Sequence, residues 1–219
     1  HHGVVIPDKF MEIIHRAAHE DNFNDDWELI DPHSGEVKKV VSARTIWVKL
    51  LQNRMESGEP YLMFEDAVQA DLPEFQKRKG LKVNHSNLCS EIILPTNEQR
   101  TAVCCLSSLN LETYDEWKDE PLFLKDVAEM LDNVLSYFIA NAPDTIARAR
   151  YSAERERSIG IGALGFHAYL QRNGIAFEGV MAKVTNNRIF KSIREGLNEA
   201  NQILGGERGE APDASGTGK

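Results

Sequence analysis

Asn87, Cys89 and Glu91 stand two residues apart in the run Asn87-Leu88-Cys89-Ser90-Glu91. If that run is extended, side chains at i, i+2 and i+4 leave one face of the chain, so an amide, a thiol and a carboxylate line up together. The set suits chemistry on a sugar. A sulfur takes a hydrogen, a carboxylate handles a hydroxyl proton and an amide holds hydroxyls. The same spacing also fits a buried cysteine flanked by two polar edge residues, the commoner fate of such a pattern.

Cys104 follows fifteen positions later, in the apolar run Val103 to Leu111. Two antiparallel strands, or a loop beside a strand, would bring its sulfur near that of Cys89; a small core hydrophobe is the commoner role for a free cysteine. Gly160, Gly162 and Gly165 almost match the spacing of a dinucleotide-binding loop. No acidic residue and strand follow at the right distance, and Arg155 to Ser158 is too polar for the buried first strand of that motif. Close packing is the expected use of these glycines. His15 and His19 lie four apart with no third ligand apparent, so no metal site is expected. Trp27, Trp47 and Trp117 are scattered and read as packing residues.

The elements that must position these groups are marked by periodicity and caps. Helices are predicted from Pro7 to about Glu20, from a cap at Ser42 to Gly58, from Pro121 to about Ala142, and from Ile189 to Leu204, each with apolar residues recurring at three and four positions. Trp27–Asp31, Tyr61–Phe64 and Val103–Leu111 read as short strands. Residues 73–80 are charged and expected to be exposed, and Arg148–Arg157 reads as a solvated helix face. The Gly-rich stretch Ile159–Phe166 leads into a helical pattern through Leu170. Helices alternating with short apolar strands predict an α/β fold built on parallel strands.

The 219 residues, 42% hydrophobic and 27% charged, suffice for a real core, and the net charge of -9 argues against binding a nucleic acid polymer. No stretch approaches the ~20 apolar residues of a membrane span. Nor is there a signal-peptide pattern at the N-terminus. Three cysteines, two of them adjacent, do not form a secreted disulfide framework, so a reducing, cytoplasmic setting is expected. The starting residues His1-His2-Gly3 and the run Ser215 to Lys219 lead us to expect a piece of a longer reading frame; a clipped tag would account for the histidines alone.

Taken together, the motifs resemble a known family. Asn87-Leu88-Cys89-Ser90-Glu91-Ile92, with Leu94-Pro95, resembles the radical-cysteine loop of ribonucleotide reductase large subunits, patterned N-L-C-x-E-I. Val103 to Leu111 resembles the segment that follows it. Aligning on Leu-Ser-Ser-Leu-Asn-Leu places the family's redox cysteine at Cys104, with Cys105 an extra neighbour. Arg157 to Phe166 is similar to R-x-x-G-I-G-x-x-G, and Pro60 to Asp66 to P-Y-x-x-F-x-D. Gly206 to Pro212 resembles the stretch before the family's substrate-phosphate loop. These matches occur in family order along most of the chain.

The resemblance implies part of a ten-stranded α/β barrel made of two half-barrels, incomplete in this chain. Residues 1–219 would be the central part of the catalytic barrel, with the radical-cysteine loop around 84–96 and no N-terminal regulatory module. It further implies that Cys89 becomes a thiyl radical and abstracts the hydrogen at C3′ of a ribonucleotide. Glu91 would act as base on the 3′ hydroxyl, Asn87 would bond ribose hydroxyls with Ser86 beside it at the substrate, and Cys104 would be half of the reducing pair. No cofactor would be bound directly. A metal-containing small subunit would supply the radical, and a thioredoxin- or glutaredoxin-type protein the electrons. A ribonucleoside diphosphate substrate, the remaining large-subunit segments and a second large subunit complete the implied partners. The upstream cysteine partner, the relay tyrosines and the C-terminal cysteines have no counterpart in the sequence, so this chain by itself is expected to be inactive. An adenosylcobalamin-dependent class II reductase, which shares N-x-C-x-E, and a non-catalytic assembly piece of the same fold are the alternatives.

Overall fold

Short strands distant in sequence find one another in parallel pairs, and each pair anchors a separate part of the chain. The computed structural model describes residues 2–216. The chain divides into two compact units, His1–Asn97 and Glu98–Lys219.

The first unit runs β1 (Gly3–Ile6), α1 (Asp8–His19), β2 (Asp26–Ile30), β3 (Val37–Ser42), α2 (Ala43–Ser57), β4 (Tyr61–Phe64), α3 (Glu65–Ala70) and α4 (Glu74–Arg78). β1 pairs in parallel with β4, Gly3 opposite Tyr61 through Ile6 opposite Phe64, while β2 and β3 form an antiparallel hairpin. Ile6, Phe10 and Ala43 make one core cluster. Trp27 and Trp47 meet Phe10 edge-on, with centroids 5.1 and 6.5 Å away, which is the packing role expected of them. Met63, Leu72 and Val83 make a second cluster, against which Ile93 packs. α2 starts and stops as its sequence predicts. Ser42 Oγ accepts from the Thr45 amide at 3.1 Å, and Gly58 closes the helix at φ 79°. β1 and β3 were not predicted, and the charged stretch 73–80 is mostly exposed as expected, though it forms α4 and buries Gln76.

The second unit runs β5 (Cys105–Asn110), α5 (Tyr114–Trp117), α6 (Phe123–Asn141), α7 (Ala147–Glu156), β6 (Ile159–Leu164), α8 (Phe166–Arg172) and α9 (Val180–Arg208). β5 and β6 pair in parallel, Cys105 opposite Ile159 through Asn110 opposite Leu164. Leu109 joins Leu111, Tyr114, Tyr169, Ile189 and Ile193 in the main cluster, with Ile161 and Ala163 packed on it. α6 is held to α9 through Ala128, Ala200 and Leu204. α9 starts well before Ile189, the predicted beginning. Parallel pairing of β1 with β4 and of β5 with β6 bears out the α/β reading; among the described residues there are three two-stranded sheets and no closed barrel.

α7 departs from the expected solvated face. Its end enters a buried ionic network: Arg100 donates to Glu156 Oε1 at 2.9 Å and lies 2.7 Å from Asp213 Oδ2, and Arg155 donates to Asp213 Oδ1 at 2.8 Å. The side chains of Arg100, Glu156 and Asp213 are 7, 3 and 1% exposed. Burial, the largest influence, raises the Glu156 carboxyl above its ordinary range despite the opposing Arg100. Burial also pushes Asp213 upward, but hydrogen bonds from Arg100 and Arg155 outweigh it and leave that carboxyl lowered. The network ties three segments together: the approach to β5, the end of α7 and the stretch after α9.

Candidate active site

The segment from Leu81 to Cys104 has no helix or ladder strand, so its buried backbone groups need other partners. Val83, 1% exposed, finds them in one side chain of α3. Gln69 donates from Nε2 to the Val83 carbonyl at 2.6 Å and accepts the Val83 amide on Oε1 at 3.3 Å. Immediately beyond, the Thr96 amide donates to the Lys82 carbonyl at 3.2 Å, and Asn84 Nδ2 donates to the Thr96 carbonyl at 2.7 Å. These bonds close residues 84–96 into a loop with a fixed stem, and Pro95 is buried at its return.

At the tip the chain turns. The Ser90 amide donates to the Asn87 carbonyl at 3.1 Å, and Ser90 adopts the left-handed conformation at φ 67°. The extended run expected over 87–91 is therefore not formed: the left-handed residue inverts the chain and ends the alternation that would have put three side chains on one strand face. Asn87 organises the turn. Its Oδ1 accepts from the Ile92 amide at 3.0 Å and lies 3.3 Å from Ser86 Oγ, which donates also toward the Asn87 carbonyl at 3.2 Å. Tyr61, on β4, donates its phenol to the Ser86 carbonyl at 3.3 Å. Cys89 and Glu91 are exposed. A cleft of about 510 Å³ flanks the loop, walled by Met63, Phe64, Val68 and Ile93 with Ser86 and Ser90 at its polar side. Asn87, Cys89 and Glu91 do not line it.

Cys104 belongs to the second unit, at the entrance of β5, half-buried like Cys105. Its thiol points toward the Cys105 carbonyl at 3.8 Å. Burial pushes the Cys105 thiol upward from its ordinary value. Gly160 and Gly162 sit on β6 itself and serve close packing, while Gly165 caps α8 in the left-handed conformation at φ 76°. A methyl at Gly160 would stand 2.5 Å from Leu106 Cδ2 and 3.4 Å from Cys104 Sγ; one at Gly162 would stand 3.3 Å from Ser108 Oγ. β6 thus presents a bare backbone beside Cys104. The helical pair His15 and His19 stack at 4.4 Å, with His19 Nδ1 2.7 Å from the His15 carbonyl. Among the described residues, no three His, Cys, Asp or Glu side chains are grouped to hold a metal.

Comparison with known proteins places the chain in a family. The family model of the ribonucleotide reductase barrel domain matches residues 1–217. The chain belongs to the ribonucleotide reductase family. It is 52% identical over 193 residues to the ribonucleoside-diphosphate reductase large subunit of Invertebrate iridescent virus 3, covering 88% of this chain and 31% of that one. It is 48% identical over 221 residues to the putative large subunit of Frog virus 3 (isolate Goorha), covering 100% of this chain and 38% of the relative. The solved alpha subunit of the class Id reductase from Actinobacillus ureae superposes with a TM-score of 0.83 at 37% identity, over 99% of this chain and 38% of that chain. The chain therefore spans about a third of the length of these reductases. No helix among the described residues is long and apolar enough to cross a membrane.

Sequence reasoning located the loop and missed what holds it. Gln69 carried no signal of its own. Tyr61 lay inside the P-Y-x-x-F-x-D resemblance without an assigned role.

Proposed function

We propose that residues 1–219 form the central part of the catalytic barrel of a class I ribonucleotide reductase large subunit, with 84–96 as its radical-cysteine loop. One observation carries the reading. Cys89 stands exposed at the tip of a turn, between Asn87 and Glu91, on a loop whose stem and tip are both pinned by hydrogen bonds. A hydrogen-abstracting sulfur must be presented in a fixed position to one carbon of its substrate, and a pinned tip does this.

In the proposed reaction the Cys89 thiyl radical takes the hydrogen from C3′ of a ribonucleoside diphosphate, and Glu91 takes the proton of the 3′ hydroxyl. Asn87 holds ribose hydroxyls, with Ser86 beside it. The C2′ oxygen leaves as water. Cys104 and a second cysteine supply two electrons and two protons and close as a disulfide, and the Cys89 hydrogen returns to C3′. The sum is ribonucleotide plus two thiols giving deoxyribonucleotide, water and disulfide. A metal-containing small subunit generates the radical, a thioredoxin- or glutaredoxin-type protein reopens the disulfide, and the large subunits pair as dimers in the cytoplasm.

The test mixes this chain with separately expressed flanking segments of a reductase large subunit and a radical-generating small subunit, and assays ribonucleoside diphosphate reduction. Turnover in the full mixture, abolished by Cys89→Ser, is the expected result. An assembled mixture without turnover would instead favour a non-catalytic piece of the same fold.

A further inference from the structure

The geometry points to Gln69 as a positioning residue: its carboxamide fixes the stem of the loop that presents Cys89, and through the stem the place of the sulfur. The inference rests on the proposed role of Cys89 for its meaning and on the two Gln69–Val83 hydrogen bonds for its mechanism.

Val83 is buried and belongs to no ladder, so both its N–H and its C=O need a partner within the fold. A carboxamide offers a donor and an acceptor in one plane, as a neighbouring strand's peptide would. Gln69 supplies both, at 2.6 Å to the carbonyl and 3.3 Å from the amide. Its own backbone lies on α3, which continues directly from β4, and β4 is fixed by its parallel pairing with β1. The loop is thereby tied to the sheet through one side chain. Lys82 and Asn84, on either side of Val83, both bond Thr96, so the returning limb is held by the limb that Gln69 holds. Shifting Val83 would move the stem, and the turn bearing Cys89 rides on it.

The experiment follows hydrogen exchange of peptides covering residues 84–96, together with alkylation of Cys89 using Cys104 and Cys105 as internal references. The natural chain is compared with Gln69→Met and Gln69→Glu. Gln69→Met leaves both Val83 groups unpaired, and exchange over 84–96 is expected to rise about tenfold. The Cys89 alkylation rate should then shift about threefold while Cys104 and Cys105 keep theirs. Gln69→Glu separates geometry from mere packing. When protonated, its carboxyl donates to the Val83 carbonyl as the amide does; when ionised, it cannot. The excess exchange in this variant, taken relative to the natural chain at each pH, should shrink as pH falls and the carboxyl takes up its proton, because facing a carbonyl in a half-buried site raises a carboxyl's pKa. Natural exchange over 84–96 in Gln69→Met, or a pH-independent excess in Gln69→Glu, overturns the assignment. If one variant does not fold, the other decides. Reductase turnover is not among these readouts, so a failed clamp and a failed reductase reading are told apart: the first shows here, the second in the reconstitution assay.

Discussion

Replacing Arg100 by Met should loosen the second unit far more than loss of an ordinary surface arginine. Arg100 faces two carboxylates whose side chains are 3 and 1% exposed, and only one keeps another cation. Asp213 retains Arg155. Among the described residues, Glu156 is left with no cation, and its Oε2 already has no hydrogen-bond partner. Removing one member of a buried ion pair costs about 3–5 kcal/mol. Glu156 can escape part of that by taking a proton, each unit of pKa shift being about 1.4 kcal/mol, so the lower end of about 3 kcal/mol applies. At a urea dependence of about 2 kcal/mol per molar, the midpoint should drop by about 1.5 M. Urea titration with pulse hydrogen exchange, read on peptides from residues 98–216, isolates the unit. In Arg100→Met/Glu156→Leu the stranded anion is removed as well, and this double variant should recover at least about 1 kcal/mol over the single one. A loss below about 1 kcal/mol in the single variant, or strict additivity in the cycle, would refute the reasoning.

Glu156→Gln tests the sign of the same network. Burial lifts the Glu156 carboxyl, so the folded chain holds that proton more tightly than the unfolded chain. This contribution is complete below the unfolded value of about 4.5 and is lost as pH rises through the folded one. The melting temperature of Glu156→Gln relative to the natural chain should therefore climb as pH rises above about 4.5; a flat or falling difference contradicts it. Asp213, lowered, acts in the opposite sense and only at more acid pH. The glycines of the second unit should rank by what their new methyl meets. Gly160→Ala presses on the far end of Leu106, which is half exposed and can yield, and should cost about 1 kcal/mol. Gly165→Ala combines φ +76° with a Glu112 backbone nitrogen at 3.0 Å and should cost about 2–3 kcal/mol. Thermal unfolding gives the order, and its reversal would show that the backbone relaxes at Gly165.

What the sequence disclosed and what it hid follow from the range of the forces. α6 repeats Val127, Leu131, Val134, Leu135 and Phe138 at three- and four-residue steps, and α2 carries its own stop and start in Ser42 and Gly58, so local pattern suffices for both. β3 is almost wholly exposed, with lysines amid its valines, and it exists because β2 pairs with it. β1 is four residues long and defined by a partner at Tyr61. The network pairs Arg100 with Glu156, 56 positions away, and Arg155 with Asp213, 58 away, and in sequence each is one more charge in a charged segment. In the site, Asn87, Cys89 and Glu91 were legible as residue types, but their geometry was not: Ser90 enters the left-handed region with no glycine or asparagine to announce it.

Asn87 is the residue where this matters most for recognition. The turn has claimed its carbonyl end, since Oδ1 receives the Ile92 amide and faces the Ser86 hydroxyl. What the side chain has left to show a visitor is its NH₂, two hydrogens and no lone pair. It can welcome an oxygen but cannot receive a proton from one. An aspartate there would shape the same turn but offer no hydrogen in its place, so turn formation and hydrogen donation hang on opposite ends of a single amide.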